Sequence, residues 1–337
     1  MTITSSKRVK AIALLSGGLD SRLAVKLILD QGIGVLAVNF IGPFCTCNRP
    51  GRCEAKEVSE KLDVPLKRFA LGREYIEMVK SPRYGYGKNM NPCLDCRIMT
   101  FTKARELMEE MGADFVFTGE VLGQRPMSQR RDAMRIVERD SGLEGRLLRP
   151  LSAKLMKPTI PEREGLVDRE KLLNIQGRSR KPQMRLAEEL GLTDYPCPAG
   201  GCLLTDKGFA DRLRDLFQHG EDSLYDINLL KVGRHFRLPT GQKIIAGRDE
   251  EENRTLAALA RGEDLKLSAE EYGSPLVILR KSRARRALER AAAICARYSA
   301  GRNRAEVSVR YWLDSKEPMG RFVVAPIPDR LLARYRV

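Results

Sequence analysis

Residues 10–31 read KAIALLSGGLDSRLAVKLILDQ, and this stretch decides the fold. Residues 10–15 form a short apolar run that ends at the pair Gly17-Gly18, and Leu23, Val25, Leu27 and Ile28 then recur at helical spacing. The order is strand, tight loop, helix. Outward from it, residues 33–40 read as a second buried strand, 54–62 as a helix, 66–71 as a strand, 94–111 as a long helix ending at Gly112, and 114–118 as another strand. Strands alternating with helices of this length predict an α/β fold, a doubly wound parallel sheet covered on both faces. Ligands of such sheets bind at the carboxyl ends of the strands.

Residues 80–92 are rich in Gly, Pro, Tyr and Asn, as suits a loop beside a site. Residues 150–161 are broken by three prolines, and helical stretches around 169–173 and 182–190 follow. From about Asp226 the character changes to β-like pieces at 234–238, 243–246, 276–280, 305–312 and 321–324, which predict a small C-terminal α+β domain. The expected divisions are 1–157, a nucleotide-binding catalytic domain; 158–225, a helical region carrying a cysteine loop; and 226–337, a basic α+β domain.

The chain has 337 residues, 42% of them apolar, with 60 Lys and Arg against 44 Asp and Glu, a net +16. It is long enough for about two domains and too apolar to be disordered. Residues 231–337 hold 23 basic and 13 acidic residues, a net +10, so the charge concentrates in the last third. Such a field favours polyanions, nucleic acid above all. The longest apolar runs fall short of the roughly 20 residues that cross a bilayer, and residues 1–10 lack the apolar core of a signal sequence. A cytoplasmic protein with no membrane partner is expected. Its eight cysteines are grouped: Cys45, Cys47 and Cys53; Cys93 and Cys96; Cys197 and Cys202; and Cys295 alone. Grouped cysteines in a reducing compartment point to metal or sulfur chemistry rather than disulfides.

Between its strand and its helix, Ser16-Gly17-Gly18-Leu19-Asp20-Ser21 is placed so that backbone N–H groups and the helix dipole converge on an anion. A nucleotide phosphate fits there. No Gly-Lys-Ser or Gly-Lys-Thr follows, so this is not the loop of the common nucleoside triphosphatases. The Ser16 and Ser21 hydroxyls and the Gly17 and Gly18 amides would hold the phosphates, with Asp20 on Mg²⁺. This string resembles that of the PP-loop ATP pyrophosphatases, a family that includes amide-forming synthetases and tRNA-thiolating enzymes. The resemblance covers residues 9–205 and implies ATP as substrate, split between its α and β phosphates.

Asn91-Pro92-Cys93-Leu94-Asp95-Cys96-Arg97 opens the long helix, so Cys93 and Cys96 lie about one turn apart at its N-terminus, where the dipole would favour thiolates. The spacing suits a redox pair or two ligands of a soft metal or iron–sulfur cluster. The string is similar to the Asn-Pro motif of the tRNA 2-thiouridylases, which implies that Cys96 is catalytic; Cys93 stands where many members have Asp. Thr118-Gly119-Glu120-Val121-Leu122-Gly123-Gln124 stands at a strand end as a polar loop able to hold ribose or phosphate through Gly119 and Gln124, with Arg125 and Arg130 adding charge. It and Leu148-Arg149-Pro150-Leu151 resemble strings of the 4-thiouridine synthetases. In Cys197-Pro198-Ala199-Gly200-Gly201-Cys202, Cys202 corresponds in order to the second catalytic cysteine of the 2-thiouridylases. Cys93, Cys96 and Cys202 together resemble the ligand set of cluster-dependent tRNA thiolases, which implies a [4Fe-4S] cluster with one iron open to sulfide; Cys197 can replace Cys202. Cys45, Cys47 and Cys53 are left open between a zinc site, a sulfur relay and no function, and Cys295 reads as core. His219 and His235, the two histidines, lie in no motif and read as structural.

In the C-terminal domain, residues 233–239 and 243–248 suggest a hairpin with basic edges that resembles the RNA-binding domain of ribosome-quality-control proteins. Arg234, Arg237, Lys243 and the run Arg280, Lys281, Arg283, Arg285, Arg286 are the expected phosphate contacts. Phe236, Tyr311 and Trp312 are read either as base-stacking or as core residues. Together these resemblances imply an ATP-dependent tRNA sulfurtransferase that adenylates a uridine and replaces its carbonyl oxygen by sulfur, 4-thiouridine before 2-thiouridine. Its expected partners are tRNA and a sulfur donor, either free sulfide or a persulfide carrier. The alternatives are a PP-loop amide synthetase and an RNA-binding protein with a vestigial ATP site. The oligomeric state is open, a homodimer included.

Overall fold

The computed structural model describes residues 9–45, 48–49, 52–192, 194–195, 201–313 and 317–337, so Cys47 and Cys197 lie outside the described residues. The chain divides into two compact units, Met1–Thr205 and Asp206–Val337.

The first unit runs β1 (Lys10–Leu14), α1 (Leu19–Leu29), β2 (Gly34–Ile41), β3 (Asn48–Arg49), β4 (Arg52–Cys53), α2 (Glu54–Lys61), β5 (Leu66–Ala70), α3 (Arg73–Lys80), α4 (Cys93–Glu110), β6 (Phe115–Thr118), α5 (Arg131–Ser141), β7 (Leu147–Leu148), α6 (Ile160–Arg163) and α7 (Lys181–Glu189). Five strands form a parallel sheet in the order β5-β2-β1-β6-β7. β1 sits at its centre because Ala11, Ile12 and Ala13 are apolar on both faces, as a strand covered by helices on each side requires. Ala11, Ala13 and Phe117 pack with Val25 and Ile28 of α1 and Val58 of α2. On the opposite face Ile12, Val38 and Val116 pack with Phe101 and Leu107 of α4 and Val137 of α5. The expected doubly wound α/β sheet is therefore present. Its order reverses between β1 and β6, the switch point at which such sheets bind ligands.

Most elements start within a residue or two of the sequence reading. α3 and α5 were not anticipated: both carry enough charge that their helical apolar faces, Tyr75, Ile76 and Val79 in one and Ala133, Met134 and Val137 in the other, are short.

The second unit runs α8 (Lys207–Gln218), α9 (Leu224–Leu229), β8 (Arg234–Arg237), β9 (Lys243–Ala246), α10 (Glu250–Leu259), β10 (Leu265–Ala269), β11 (Val277–Leu279), α11 (Arg285–Tyr298), β12 (Val307–Trp312), β13 (Gly320–Val324) and α12 (Asp329–Tyr335). Its six-stranded sheet has the order β13-β12-β10-β11-β9-β8, and all its pairings are antiparallel. This is the expected C-terminal α+β domain. The Ala-rich α11 lies against it, its small side chains allowing close approach, with Cys295 fully buried as the sequence suggested.

Among the described residues no helix is long and apolar enough to cross a membrane.

Candidate nucleotide and thiol site

Ser16 to Ser21 follow β1 and form the entry to α1, with Gly18 as the residue that caps it. The loop is tied to itself: Ser21 Oγ donates to the Gly18 carbonyl at 2.8 Å, Ser16 and Ser21 hydroxyls lie 3.2 Å apart, and the Arg22 Nε donates to the Gly17 carbonyl at 3.0 Å. Two glycines are demanded by neighbours. Gly17 has φ +88°, and a Cβ there would stand 2.6 Å from Glu54 Cβ at the start of α2. A Cβ on Gly119 would stand 2.5 Å from the backbone of Asp20 and Ser21. Gly119 thus braces the loop after β1 against the loop after β6, a closer role than the nucleotide contact expected of it. Leu19 is corrected in the same way: its side chain is buried with Leu23, Val121 and Leu151, leaving only its backbone to the loop.

Asp20 is reached from the loop after β6 by Gln124, whose Nε2 donates to Oδ2 at 2.8 Å, and Gln183 of α7 in turn donates to Gln124 Oε1 at 3.2 Å. Gln183 is fully buried, and nothing in the sequence marked it. The other carboxylate oxygen, Asp20 Oδ1, is buried without a hydrogen-bond partner among the described residues, as is Glu54 Oε2. An orphaned carboxylate oxygen beside a phosphate-binding loop fits Mg²⁺, which takes one or two carboxylates and completes its shell with phosphate and water.

The thiols lie at the start of α4. Cys93 is its first residue and Cys96 its fourth. The turn after Cys202 is pinned from both sides: Leu203 N donates to the Phe44 carbonyl at 3.0 Å, Met90 N to the Leu204 carbonyl at 3.1 Å, and Asn89 Nδ2 to the Thr205 carbonyl at 2.7 Å. The loop at 80–92 is held in turn by Asp95, which accepts from Arg83 N at 2.8 Å. This loop therefore borders the site, as its composition suggested. Tyr75 of α3 donates its hydroxyl to Cys96 Sγ at 3.2 Å. Cys45 is close enough to interact electrostatically with Tyr75, Cys96 and Cys202, so it joins the other thiols. Sequence left Cys45 undecided because its loop has no regular spacing to the others. Cys53 instead packs against the apolar cluster of α1 and α2.

One electrostatic expectation is overturned. The helix dipole was to favour thiolates at Cys93 and Cys96, but burial pushes both thiols up. It pushes Cys202 up to about 12. Tyr75 and Arg97 pull Cys96 back only in part. Desolvation is the largest contribution at each sulfur and outweighs the dipole. They are neutral thiols at pH 7. Burial and the neighbouring sulfurs also raise the Tyr75 phenol, so it remains a donor.

Among the described residues no group of three or more His, Cys, Asp or Glu is arranged to hold a metal ion, so Cys93, Cys96 and Cys202 are not a ready site for a single ion. An iron–sulfur cluster spreads its ligands over separate irons, and three soft, neighbouring sulfurs suit it in donor chemistry. Its binding would have to displace their protons.

Between the two halves stand cations. Glu120 is buried and pairs with Arg97 of α4 at 3.4 Å and with Arg149 at 3.2 Å. The charge of Arg97, with burial after it, lowers the Arg125 pKa, and Glu120 and Asp20 act against that shift. The loop after β6 links the two parts, with Gly119 against the Asp20–Ser21 backbone and Glu120 on Arg97, next to Cys96. A cavity of about 420 Å³ near Arg131, Arg135 and Met156 contains neither a thiol nor a loop residue.

In the second unit the expected RNA contacts separate. Arg237 is partly buried and bonded to Asp215 at 2.8 Å and Glu221 at 2.7 Å, and Lys243 is buried against Asp215 at 3.0 Å. Arg280 is buried between Asp226 and Asp264. These are internal ion pairs and are corrected as phosphate contacts: their charges are spent before an RNA arrives. Arg234 lies 4.5 Å over the Tyr298 ring. Arg283, Arg285 and Arg286 are exposed, Arg285 paired with Glu289 at 3.0 Å. His235 is buried with Nε2 2.9 Å from the Val232 carbonyl, and His219 ends α8.

Residues 9–139 match the sequence family described as the tRNA methyl transferase HUP domain, and residues 233–336 match the NFACT protein RNA binding domain. A tRNA-specific 2-thiouridylase of Clostridium botulinum is 30% identical over 123 residues, covering 34% of this chain and 34% of that protein. A protein of Methanosarcina mazei named "Probable tRNA sulfurtransferase" is 31% identical over 121 residues, covering 34% of this chain and 29% of that protein. Among solved structures, a 4-thiouridine synthetase in complex with RNA and ATP aligns at 21% identity and a TM-score of 0.41, covering 66% of this chain and 52% of that one. The chain spans about a third of the length of the curated relatives it matches. Both resemblances read from the sequence are thereby met: residues 9–139 are similar to HUP domains and to part of tRNA sulfurtransferases and 2-thiouridylases, and residues 233–336 to the NFACT RNA-binding domain.

Proposed function

We propose that this chain is an ATP-dependent tRNA sulfurtransferase that makes a thiouridine, 4-thiouridine before 2-thiouridine. The observation that carries the reading is that the loop after β6 touches both parts: Gly119 packs on the Asp20–Ser21 backbone of the SGGLDS loop, and Glu120 pairs at 3.4 Å with Arg97, the residue after Cys96. ATP lies with its phosphates on the amides of Gly17 and Gly18 and the hydroxyls of Ser16 and Ser21, with Asp20 Oδ1 toward Mg²⁺. The uracil carbonyl oxygen attacks the α-phosphorus and pyrophosphate leaves. Loop amides and the α1 N-terminus stabilise the charge that develops at phosphorus, an electrostatic contribution strongest where water is excluded. Sulfide delivered beside the thiols then attacks the adenylated carbon, AMP departs with the former carbonyl oxygen, and the proton of hydrosulfide passes to solvent.

Cys93, Cys96 and Cys202 would hold a [4Fe-4S] cluster, whose chemistry when bound is to offer a coordination site for sulfide. In this chain Tyr75 orients Cys96, Arg125 neutralises the anions formed on either side of it, and the packed turn at Leu203–Thr205 keeps water from the sulfurs. tRNA is held by the second unit.

An amide synthetase of the same loop family has no use for a group of partly buried thiols, and a vestigial ATP site has no need to preserve the Gly17 and Gly119 packing. Analysis of iron and acid-labile sulfide after anaerobic purification, with nucleoside mass spectrometry of tRNA treated with protein, ATP, Mg²⁺ and sulfide, tests the reading. ATP-dependent thiouridine supports it, and its mass-spectral identity distinguishes the isomers. A loaded cluster without thiouridine contradicts it.

A further inference from the structure

We infer that RNA is held on the open half of the second unit's sheet, by Arg310, Arg321 and Trp312, rather than on the basic start of α11. One face of that sheet is closed by α11 and α12. The other is closed only over β9 and β11, where Ile245 and Ile278 pack with Tyr225 and Leu229 of α9 and Leu256 of α10. Among the described residues no helix covers its β12–β13 side.

Strand alternation decides what stands there. Val307, Val309, Tyr311, Phe322 and Val324 turn to the closed core. Arg310, Trp312, Arg321 and Val323 therefore share the open face, with both arginines and Val323 exposed. The register sets Arg310 directly opposite Arg321. The Arg310 guanidinium lies 5.4 Å from the centre of the Trp312 ring. Neither arginine has an ion pair among the described residues.

Like charges directly across a strand pair are unfavourable, so this arrangement weakens the sheet unless an anion lies over it. Two adjacent guanidinium groups beside a partly exposed indole match a phosphate backbone followed by an unstacked base. Glu270, beside β12, is engaged by the Ser308 hydroxyl. The start of α11 is less suited, because Arg285 is matched by Glu289. The net +10 of residues 231–337 favours a polyanion over a neutral protein face, and the indole beside the guanidinium groups favours RNA among polyanions. The inference rests on the RNA-directed half of the function proposed above and not on its sulfur chemistry.

The test uses the full chain and an unmodified tRNA transcript, with affinity measured across a salt series. The double variant Arg310→Gln, Arg321→Gln is compared with wild type and with Arg283→Gln, Arg286→Gln. Losing two phosphate contacts should flatten the slope of log affinity against log salt by roughly 1.5. Trp312→Ala should weaken binding about ten-fold with little change of slope. Wild-type affinity and slope in the Arg310→Gln, Arg321→Gln protein, with its melting curve unchanged, would overturn the inference, as would finding the whole loss in the α11 variant. tRNA bound through this face by a protein that makes no thiouridine supports the surface while removing the enzymatic reading.

Discussion

Gln124 Nε2 donates to Asp20 Oδ2 at 2.8 Å, which joins the loop after β6 to the loop after β1 across the point where the strand order reverses. One oxygen of Asp20 is thereby fixed and the other, Oδ1, is left buried without a partner. The carboxylate is held in one orientation, with its unsatisfied oxygen ready for a hard cation. Gln124→Leu removes the donor and should leave the fold intact while weakening Mg²⁺-dependent ATP binding about ten-fold, as read by calorimetry with and without Mg²⁺. Equal loss in both conditions would mean that Gln124 touches the nucleotide instead.

Gly119 faces the Asp20–Ser21 backbone so closely that a Cβ would stand 2.5 Å away. Gly119→Ala must push the two loops apart, and overpacking of this kind costs about 1–3 kcal/mol. Thermal melting should drop by several degrees and ATP binding should fall with it. Gly165→Ala is the control for strain alone, since Gly165 has φ +70° and nothing within 4 Å of its would-be Cβ. Its melting should fall while ATP binding is kept.

Burial alone would raise the Asp215 carboxyl, but the hydrogen bonds from Arg237 and the charge of Lys243 hold it below the usual range. Removing Arg237 leaves a half-buried carboxylate short of its main partner, and breaking such a pair costs about 3–5 kcal/mol when it is fully buried. Arg237→Ala should therefore lower the melting temperature sharply, and at temperatures where it stays folded its tRNA affinity should match wild type. A loss of RNA affinity without loss of stability would restore Arg237 as a phosphate contact.

His235 is buried, and desolvation holds its pKa well below the ordinary value of 6.5, with Lys243 and Arg212 adding to the effect. The folded state thus keeps His235 neutral where the unfolded chain takes up a proton. The unfolded state binds more protons below about pH 6.5, so stability falls as pH drops through that value. Urea titrations between pH 7 and 5 should show this loss, and His235→Asn should flatten it. An equally steep loss in the variant would assign the acid sensitivity to the carboxylates.

Periodicity read most of the parallel sheet correctly because β1 and β2 are apolar runs bounded by turn residues, and α1 and α4 are long enough for helical spacing to stand out. The loop after β1 was legible for a different reason: its glycines and hydroxyls are consecutive in sequence. The site was legible only in pieces. Gln183 and Tyr75 are ordinary residues on helices, and only folding brings one to Gln124 and the other to Cys96. The state of the thiols was misread because dipole and spacing are local, whereas burial depends on loops far apart in sequence, Phe44 with Leu203 and Met90 with Leu204. The same limit misassigned Arg237 and Lys243: a basic hairpin looks like an RNA surface until Asp215, on an earlier helix, is found against it.

The central claim is that the loop and the thiols act on one uridine. Nucleoside mass spectrometry of tRNA incubated anaerobically with ATP, Mg²⁺, sulfide and either wild-type protein or Cys96→Ala tests it most directly, with ATP binding measured in parallel. Wild type should make thiouridine only when ATP is present, and Cys96→Ala should bind ATP normally and make none. Thiouridine from Cys96→Ala at the wild-type rate would contradict the account.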